Sequence, residues 1–321
     1  MTFTQDHFST IIEDGLASIE YPSRAPKLFD PVRYTLESGG KRLRPMLTLA
    51  VYEALTHDNA KDAINQAIAV ELFHNFTLLH DDVMDHADIR RGRPTVHCKW
   101  SDNVAILSGD AMLTLASQYL AKCPENKLAP LTECFNDTAM GVYEGQQLDL
   151  EFEDRMDVSV AEYIEMIRLK TSVLLAGACK LGAIMAGASE DVCNALHAYG
   201  ESLGLAFQLR DDWLDTFGDP AVFGKEIGGD ILNRKKTWLL ITGLNEAKDE
   251  LSSILAEDLE DEELISQVRA VYDRLKLDAR CNELANQYSS QAREYLSRVK
   301  MDVEARHFFE NLANQASSRT H

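Results

Sequence analysis

The chain has 321 residues, 45% of them hydrophobic, and its 52 acidic against 32 basic residues give a formal charge of −20 at pH 7. Such an acid excess argues against nucleic acid or an anionic membrane surface as a bulk partner, so any phosphate must be met by local basic clusters or by metal. No Ser/Gly run interrupts the chain and the eight prolines are scattered, so residues 1–321 are read as a single domain.

Asp6 to Ile19 has helical spacing and ends before Pro22. Gly39-Gly40-Lys41-Arg42-Leu43-Arg44-Pro45 then sets three cations within four residues behind a glycine pair. A glycine turn beside a helix start can cradle phosphate through backbone N–H groups. The same residues also suit a helix C-cap followed by a solvated basic turn. An apolar helix follows from Met46 to Leu55. From Ala63 to Asp85, Ile64, Ile68, Leu72, Phe76 and Leu79 recur at three- or four-residue steps, which predicts one long amphipathic helix.

That helix ends in His80-Asp81-Asp82-Val83-Met84-Asp85. At about 100° per residue, Asp81 and Asp85 share a face one turn apart. Like charges at that spacing repel, and a divalent cation is the simplest reason to keep them together. Hard oxygen ligands with no paired His or Cys point to Mg²⁺. His74 lies two turns before Asp81 on nearly the same face; it is either a packed core residue or part of the same site. Arg90, Arg91 and Arg93 follow in a polar loop. They either neutralise Asp81, Asp82, Asp85 and Asp88 or offer bidentate contacts to phosphate.

Helices are expected over Val104 to Ala121 and Leu128 to Leu150, the latter carrying Gly145-Gln146-Gln147-Leu148-Asp149. Another starts near Val160 and continues past Lys170-Thr171. The apolar run Ser172 to Ala188 is broken by Lys180 and rich in Gly and Ala, which suits a buried helix better than a membrane span. A second acidic helix runs from about Ala195 to Phe217. It carries Gly200-x-x-x-Gly204 and Arg210-Asp211-Asp212-Trp213-Leu214-Asp215, and it stops at Gly218-Asp219-Pro220. A glycine loop, Gly224-Lys225-Glu226-Ile227-Gly228-Gly229-Asp230, precedes Asn233-Arg234-Lys235-Lys236-Thr237. Charged amphipathic helix fills Glu246 to Asn314. Strand-period alternation of useful length is lacking, so the fold class is all-α, a single-domain bundle of about a dozen helices.

The six cysteines (Cys98, Cys123, Cys134, Cys179, Cys193, Cys281) make no C-x-x-C and no zinc spacing, and Met1-Thr2-Phe3-Thr4-Gln5-Asp6 has no signal-peptide pattern. They are read as reduced thiols of a cytoplasmic protein.

If the two acidic helices face each other, six carboxylates hold two or three Mg²⁺ ions and these hold a diphosphate. Lys170, Lys225, Lys235, Arg90 and Arg91 would approach the same anion. Such a site makes diphosphate a good leaving group. Apolar helix faces would line a pocket for a greasy tail and keep a carbocation from water. The parts suit ionisation of an allylic diphosphate.

With these motifs in this order, the chain resembles the trans-isoprenyl diphosphate synthases, or polyprenyl synthetases. Gly39 to Pro45 is similar to that family's first signature, and His80 to Asp85 with Arg90-Arg91-Gly92 to its first aspartate-rich motif. Gly145-Gln146, Lys170-Thr171, Gln208 with Asp211-Asp212-x-x-Asp215, and Gly224-Lys225 through Asp230 to Lys235 match the rest, over about residues 30 to 290.

The resemblance implies an all-helical barrel of isoprenoid synthase type, usually a homodimer, that performs head-to-tail prenyl transfer. Mg²⁺ would be held by Asp81, Asp85 and Asp211, with Asp82, Asp212 and Asp215 close by. Arg90, Lys170, Thr171, Gln208, Lys225 and Lys235 would support the allylic diphosphate. Lys41, Arg44, His74 and Arg91 would bind isopentenyl diphosphate. The released diphosphate is taken as the base, so no side chain is assigned to that step. Phe76 and Thr77, five and four residues before Asp81, fall where the family's chain-length ruler lies. An aromatic at the first of them implies a C15–C20 product. Helix geometry puts Thr77 on the Asp81 face and Phe76 roughly 140° round it, so Phe76 is equally readable as core.

Three rivals remain. A terpene cyclase would carry an Asn/Asp-Asp-x-x-Ser-x-x-x-Glu second motif, where this chain has a full Asp-Asp-x-x-Asp. A di-iron carboxylate oxidoreductase could use Glu71-x-x-His74 and Glu304-x-x-His307, although some 230 residues separate them. A non-catalytic partner subunit would be expected to lose acidic motifs, and both are kept.

Overall fold

The computed structural model describes residues 3–219 and 227–319, which divide into two compact units. One comprises residues 3–136, 177–194 and 300–305, and the other residues 137–176, 195–299 and 306–319.

In the first unit, α1 (Gln5–Ala17), α2 (Pro26–Leu36), α3 (Leu43–Thr56), α4 (Ile64–Met84), the one-turn α5 (Val96–Lys99) and α6 (Asp102–Leu120) follow in order. Leu47, Leu49, Ala50 and Val51 leave α3 buried nearly all round, as a helix apolar on every face must be. α4 packs along α6. The buried Ala105, Ser108, Gly109 and Ala116 keep one side of α6 low. At Gly109 even a Cβ would collide with the His80 ring.

A buried ion pair ties this unit together. The Arg42 and Glu71 side chains are only 3% and 2% exposed. Arg42 Nη1 donates to Glu71 Oε1 at 2.6 Å, Nε to Glu13 on α1 at 2.9 Å, and Nη2 to the Leu36 carbonyl at the end of α2 at 2.5 Å. Asn75 completes the set by donating to the same Glu71 oxygen at 2.8 Å. One guanidinium thus fixes where three helices stand at the mouth of the Gly39-Gly40-Lys41 turn.

α7 (Glu125–Glu153), α8 (Val160–Ile167), α9 (Val173–Ala186) and α10 (Glu190–Phe217) follow. The core of the second unit gathers Phe152, Tyr163, Leu209, Trp238, Leu251, Val268 and Tyr272. Within that unit Gly200 and Gly204 permit close helix contact. A Cβ on Gly200 would lie 2.7 Å from Ala176 Cα, and one on Gly204 2.5 Å from Ser172 Cα.

Two details differ from expectation. Sixteen α-helices are described, more than the dozen read from sequence, because apparently continuous stretches break. Residues 246–314 divide into Lys248–Ala256, Asp261–Arg274, Leu277–Ser297 and the helix that starts at Val303, with Lys276 in a left-handed turn at φ 56°. A two-stranded ribbon, β1 (Ile89–Arg90) with β2 (Arg93–Pro94), was not anticipated, because two-residue strands carry no readable alternation. The stretch Val160–Ala186 is long and apolar enough to cross a membrane by composition, yet most of it is buried inside the fold. All six cysteines are free.

Removing one partner of a buried pair strands the other charge. Glu71→Gln is therefore expected to cost about 3 kcal/mol or more of unfolding free energy, read by urea titration. Burial alone would raise the Glu71 carboxyl, but hydrogen bonding and charge from His74 and Arg42 outweigh it and lower it to about 2. A depressed carboxyl contributes stability above its unfolded pKa, near about 4.3, and loses it as pH falls towards 2. The variant should lack that part of the acid-side decline in melting temperature.

Candidate active site

Both aspartate motifs occupy the last turns of long helices. Asp81 and Asp82 close α4, with Asp85 as its C-cap, and Asp211, Asp212 and Asp215 lie in the final two turns of α10. A helix C-terminus carries the negative end of the backbone dipole, so each carboxylate there is opposed by about 0.3–1 kcal/mol until a cation arrives. In each case the chain supplies one.

At the first motif the ribbon does this. Arg91 (φ 53°) and Gly92 (φ 72°) form its two-residue turn, the left-handed pair that a tight hairpin demands. Arg90 Nε consequently reaches Asp82 Oδ1 at 2.6 Å, and its Nη2 lies 3.7 Å from Asp81. Asp82 is buried, and burial pushes its carboxyl up against the pull of Arg90. Arg91 turns the other way and donates to the Gly39 carbonyl and to Ser38 Oγ at 3.2 Å. Gly40 (φ 136°) leaves no room for a Cβ, which would lie 2.9 Å from Arg91 Nη2. Arg93 stacks on the Tyr34 ring at 4.0 Å. The three arginines therefore split between the ion-pairing and open readings instead of sharing one.

His74 is pushed down to about 4, by burial and then by the charge of Arg44, with Arg91 adding to it and Glu71 opposing. With the His74 imidazole pushed down, Arg42 is the charged partner that Glu71 faces at neutral pH. The first unit thus brings Arg44, His74 and Arg91 together, with the exposed Lys41 in the adjoining turn. Glu71 is held by Arg42, which deprives the Glu71-x-x-His74 di-iron reading of its first ligand. Thr77 donates to the His74 carbonyl at 2.8 Å. Phe76 is buried, its ring 4.7 Å from His80 and 5.6 Å from Phe73.

The second unit assembles another group. Between α8 and α9 the chain widens into a π-type turn, Arg168–Ser172, a distortion frequent at functional sites. Lys170 on this turn pairs with Asp149 of α7 at 2.5 Å. A Cβ on Gly145 would run into the Lys170 backbone nitrogen, so glycine is required where α7 crosses. Thr171 donates to Gln208 Oε1 at 3.0 Å, and Gln208 Nε2 donates to Asp212 Oδ1 at 2.9 Å. The Tyr163 hydroxyl donates to Asp212 Oδ2.

Asp211 pairs with Arg319, which also stacks on Phe207 at 3.5 Å. Asp215 Oδ1 accepts from the Asp230 backbone N–H at 2.8 Å, and the Lys235 N–H returns to the Asp230 carbonyl. Burial raises both Asp212 and Asp230, their mutual charge raises Asp230 further, and Lys235 opposes both shifts. Lys225 lies outside the described residues.

Reading the sequence did not single out Asp149, Tyr163 or Asp230 for a role. Asp149 and Asp230 stood inside quoted motifs, whereas Tyr163 carried no signal at all. Arg319, close to the end of the described residues, carried no signal either. Its side chain is 12% exposed and pairs with Asp211.

A family model described as polyprenyl synthetase matches residues 25–275. The geranylgeranyl diphosphate synthase of Methanosarcina mazei is 44% identical over 222 residues, covering 68% of each chain. A solved geranylgeranyl pyrophosphate synthase superposes with a TM-score of 0.93 at 42% identity, over 99% of both chains. The Caulobacter crescentus polyprenyl synthase, solved with calcium and isoprenyl diphosphate, gives a TM-score of 0.85 at 28% identity over 100% of this chain and 99% of its own. This chain belongs to the polyprenyl synthetase family. It has the isoprenoid synthase fold and is a prenyltransferase.

Gly145→Ala should force α7 away from the π-type turn. Overpacking of this kind costs about 1–3 kcal/mol, so a lower melting temperature is expected together with loss of prenyl transfer, since Lys170 moves with the turn.

Proposed function

We propose that this enzyme condenses isopentenyl diphosphate with an allylic diphosphate (dimethylallyl, geranyl or farnesyl), head to tail, to give a C15–C20 prenyl diphosphate. The observation that carries the reading is the pair of aspartate motifs, each at a helix C-terminus and each already facing a guanidinium. The Methanosarcina relative and the geranylgeranyl pyrophosphate synthase structure support a product in that range.

The residues fit Mg²⁺. Every donor is a hard carboxylate oxygen, and Arg90 and Arg319 stand where a cation is wanted. Among the described residues no three His, Cys, Asp or Glu side chains already form a cage. Magnesium does not require one, since it takes much of its shell from water and phosphate. The Caulobacter structure with calcium and isoprenyl diphosphate supports a divalent ion in this fold. Asp81, Asp85 and Asp211 would hold two or three ions, with Asp82, Asp212 and Asp215 ordering them. Bound there, the metal would neutralise charge that builds on the departing diphosphate.

Arg90, Lys170, Thr171, Gln208, Lys225 and Lys235 bind and orient the allylic diphosphate in this reading. Lys41, Arg44, His74 and Arg91 hold isopentenyl diphosphate. As a neutral imidazole, His74 gives a directed N–H without a desolvated second charge. The allylic C–O bond breaks, the isopentenyl double bond attacks the cation, and the departed diphosphate takes the proton. We read the chain as one functional domain, a homodimer acting in the cytoplasm. Its free cysteines agree with a reducing compartment.

Asp81→Ala and Asp211→Ala should each lower turnover about a hundredfold or more while leaving the helical circular dichroism intact. Incubation with labelled isopentenyl diphosphate, Mg²⁺ and each primer checks this; near-normal rates in either variant would refute the metal assignment. Product sizing tests the ruler. Phe76→Ala should lengthen the product, and an unchanged product makes Phe76 ordinary core.

A further inference from the structure

Tyr163 is bound to the second aspartate motif, and the reaction outlined above gives it no task. Only 1% of it is exposed. It sits on α8 one residue past the Ser159–Glu162 capping box, so its backbone is fixed at the start of a short helix. Its hydroxyl faces the Asp212 carboxylate, and across this contact the phenol O–H donates and the carboxylate oxygen accepts.

The proton directions in the surrounding network all follow from this arrangement. The Gln208 carbonyl oxygen is acceptor only, so Thr171 must be the donor to it. The Gln208 amide is thereby turned to present its N–H to Asp212. Asp212 receives from Gln208 on one oxygen and from Tyr163 on the other. Every polarised bond points at this one buried carboxylate. It is gripped on both oxygens by neutral donors, whereas Asp211 and Asp215 on the same turns are only half-buried.

We propose that Tyr163 is a positioning residue for the second aspartate motif. By fixing Asp212 as an inward anchor, it sets the rotation of the last turns of α10. Asp211 and Asp215 are then held ready for the cation and its diphosphate, and Thr171 stays in register beside them. This rests on the metal reading of that motif given above. A carboxylate bound from behind by a neutral donor is the arrangement by which proteins orient metal ligands, and removing such a partner typically weakens metal affinity about 10- to 100-fold.

The test is Tyr163→Phe, which deletes one oxygen and keeps the ring. Full-length protein is titrated calorimetrically with Mg²⁺ at fixed inorganic diphosphate, and KM is measured separately for the allylic and isopentenyl substrates. About tenfold weaker Mg²⁺ binding is expected, with a comparable rise in the allylic KM and no change in the isopentenyl KM. Unchanged Mg²⁺ binding and allylic KM, whatever happens to the melting temperature, would reduce Tyr163 to a core hydrogen bond and overturn the proposal. So would an equal rise in both KM values.

Asp212→Asn provides a second measurement should the phenylalanine variant fail to fold. It removes the charge the network points at, so it too should weaken Mg²⁺ binding, and normal binding overturns the anchor role. In that background Tyr163→Phe should add little further loss, because the two act through one bond. Full additivity counts against the proposal. Wild-type protein that binds no Mg²⁺ with diphosphate sinks the metal reading itself; wild type that binds alongside a variant that binds equally well sinks only the role of Tyr163.

Discussion

Two carboxylates one helical turn apart, at the negative end of the helix dipole, form an arrangement that a chain must balance before any ligand arrives. This protein does so twice with different means. Arg90, projected by a two-residue turn, covers Asp81 and Asp82. At the second motif Arg319 covers Asp211, while neutral donors from Tyr163 and Gln208 hold Asp212. The difference has a physical basis. Arg90, the partner of the buried Asp82, is about a third exposed and keeps part of its own hydration. Asp212 lies deep among Tyr163 and Leu209, where a second fully desolvated ion would be costly and hydrogen bonds are the cheaper stabilisation.

Precise placement of charge near the first motif depends in turn on a charge that takes no part in it. Arg42 is buried among Glu13, Glu71 and the Leu36 carbonyl. The turn before it carries Lys41 and accepts Arg91, and the helix after it carries Arg44. A buried ion pair is poor evidence for stability in itself, but breaking one is severe. That asymmetry makes Arg42 a firm hinge post for the basic turn. Gly40 and Gly145 act as complementary devices. Each removes a side chain where Arg91 or the Lys170 backbone approaches closely.

Much of the candidate site was legible because it is local. The spacing of Asp81 with Asp85 and of Asp211 with Asp215 follows from helix geometry alone. The Gly200-x-x-x-Gly204 contact needs only the absence of Cβ atoms. Tyr163 was invisible because its partner stands 49 residues away on another helix, and an isolated tyrosine in an amphipathic stretch looks like any core aromatic. Arg319 was invisible for a related reason: a polar segment near a chain end has no periodicity from which docking can be inferred. The ribbon at Ile89–Pro94 escaped because two residues cannot show an alternation.

The amino-acid sequence by itself determined the all-helical class, the two acidic helix ends, the basic turn at Gly39 to Arg44 and, through the order of its motifs, the family. Those features depend on interactions within a turn or two of helix or on residue identity, and linear spacing encodes both. Tertiary structure alone decided which arginine neutralises an aspartate and which turns away, that burial and Arg44 push the His74 imidazole down, and that Asp212 faces inward to Tyr163. Such outcomes depend on burial and on partners far apart in the chain, where desolvation, not spacing, sets the energy.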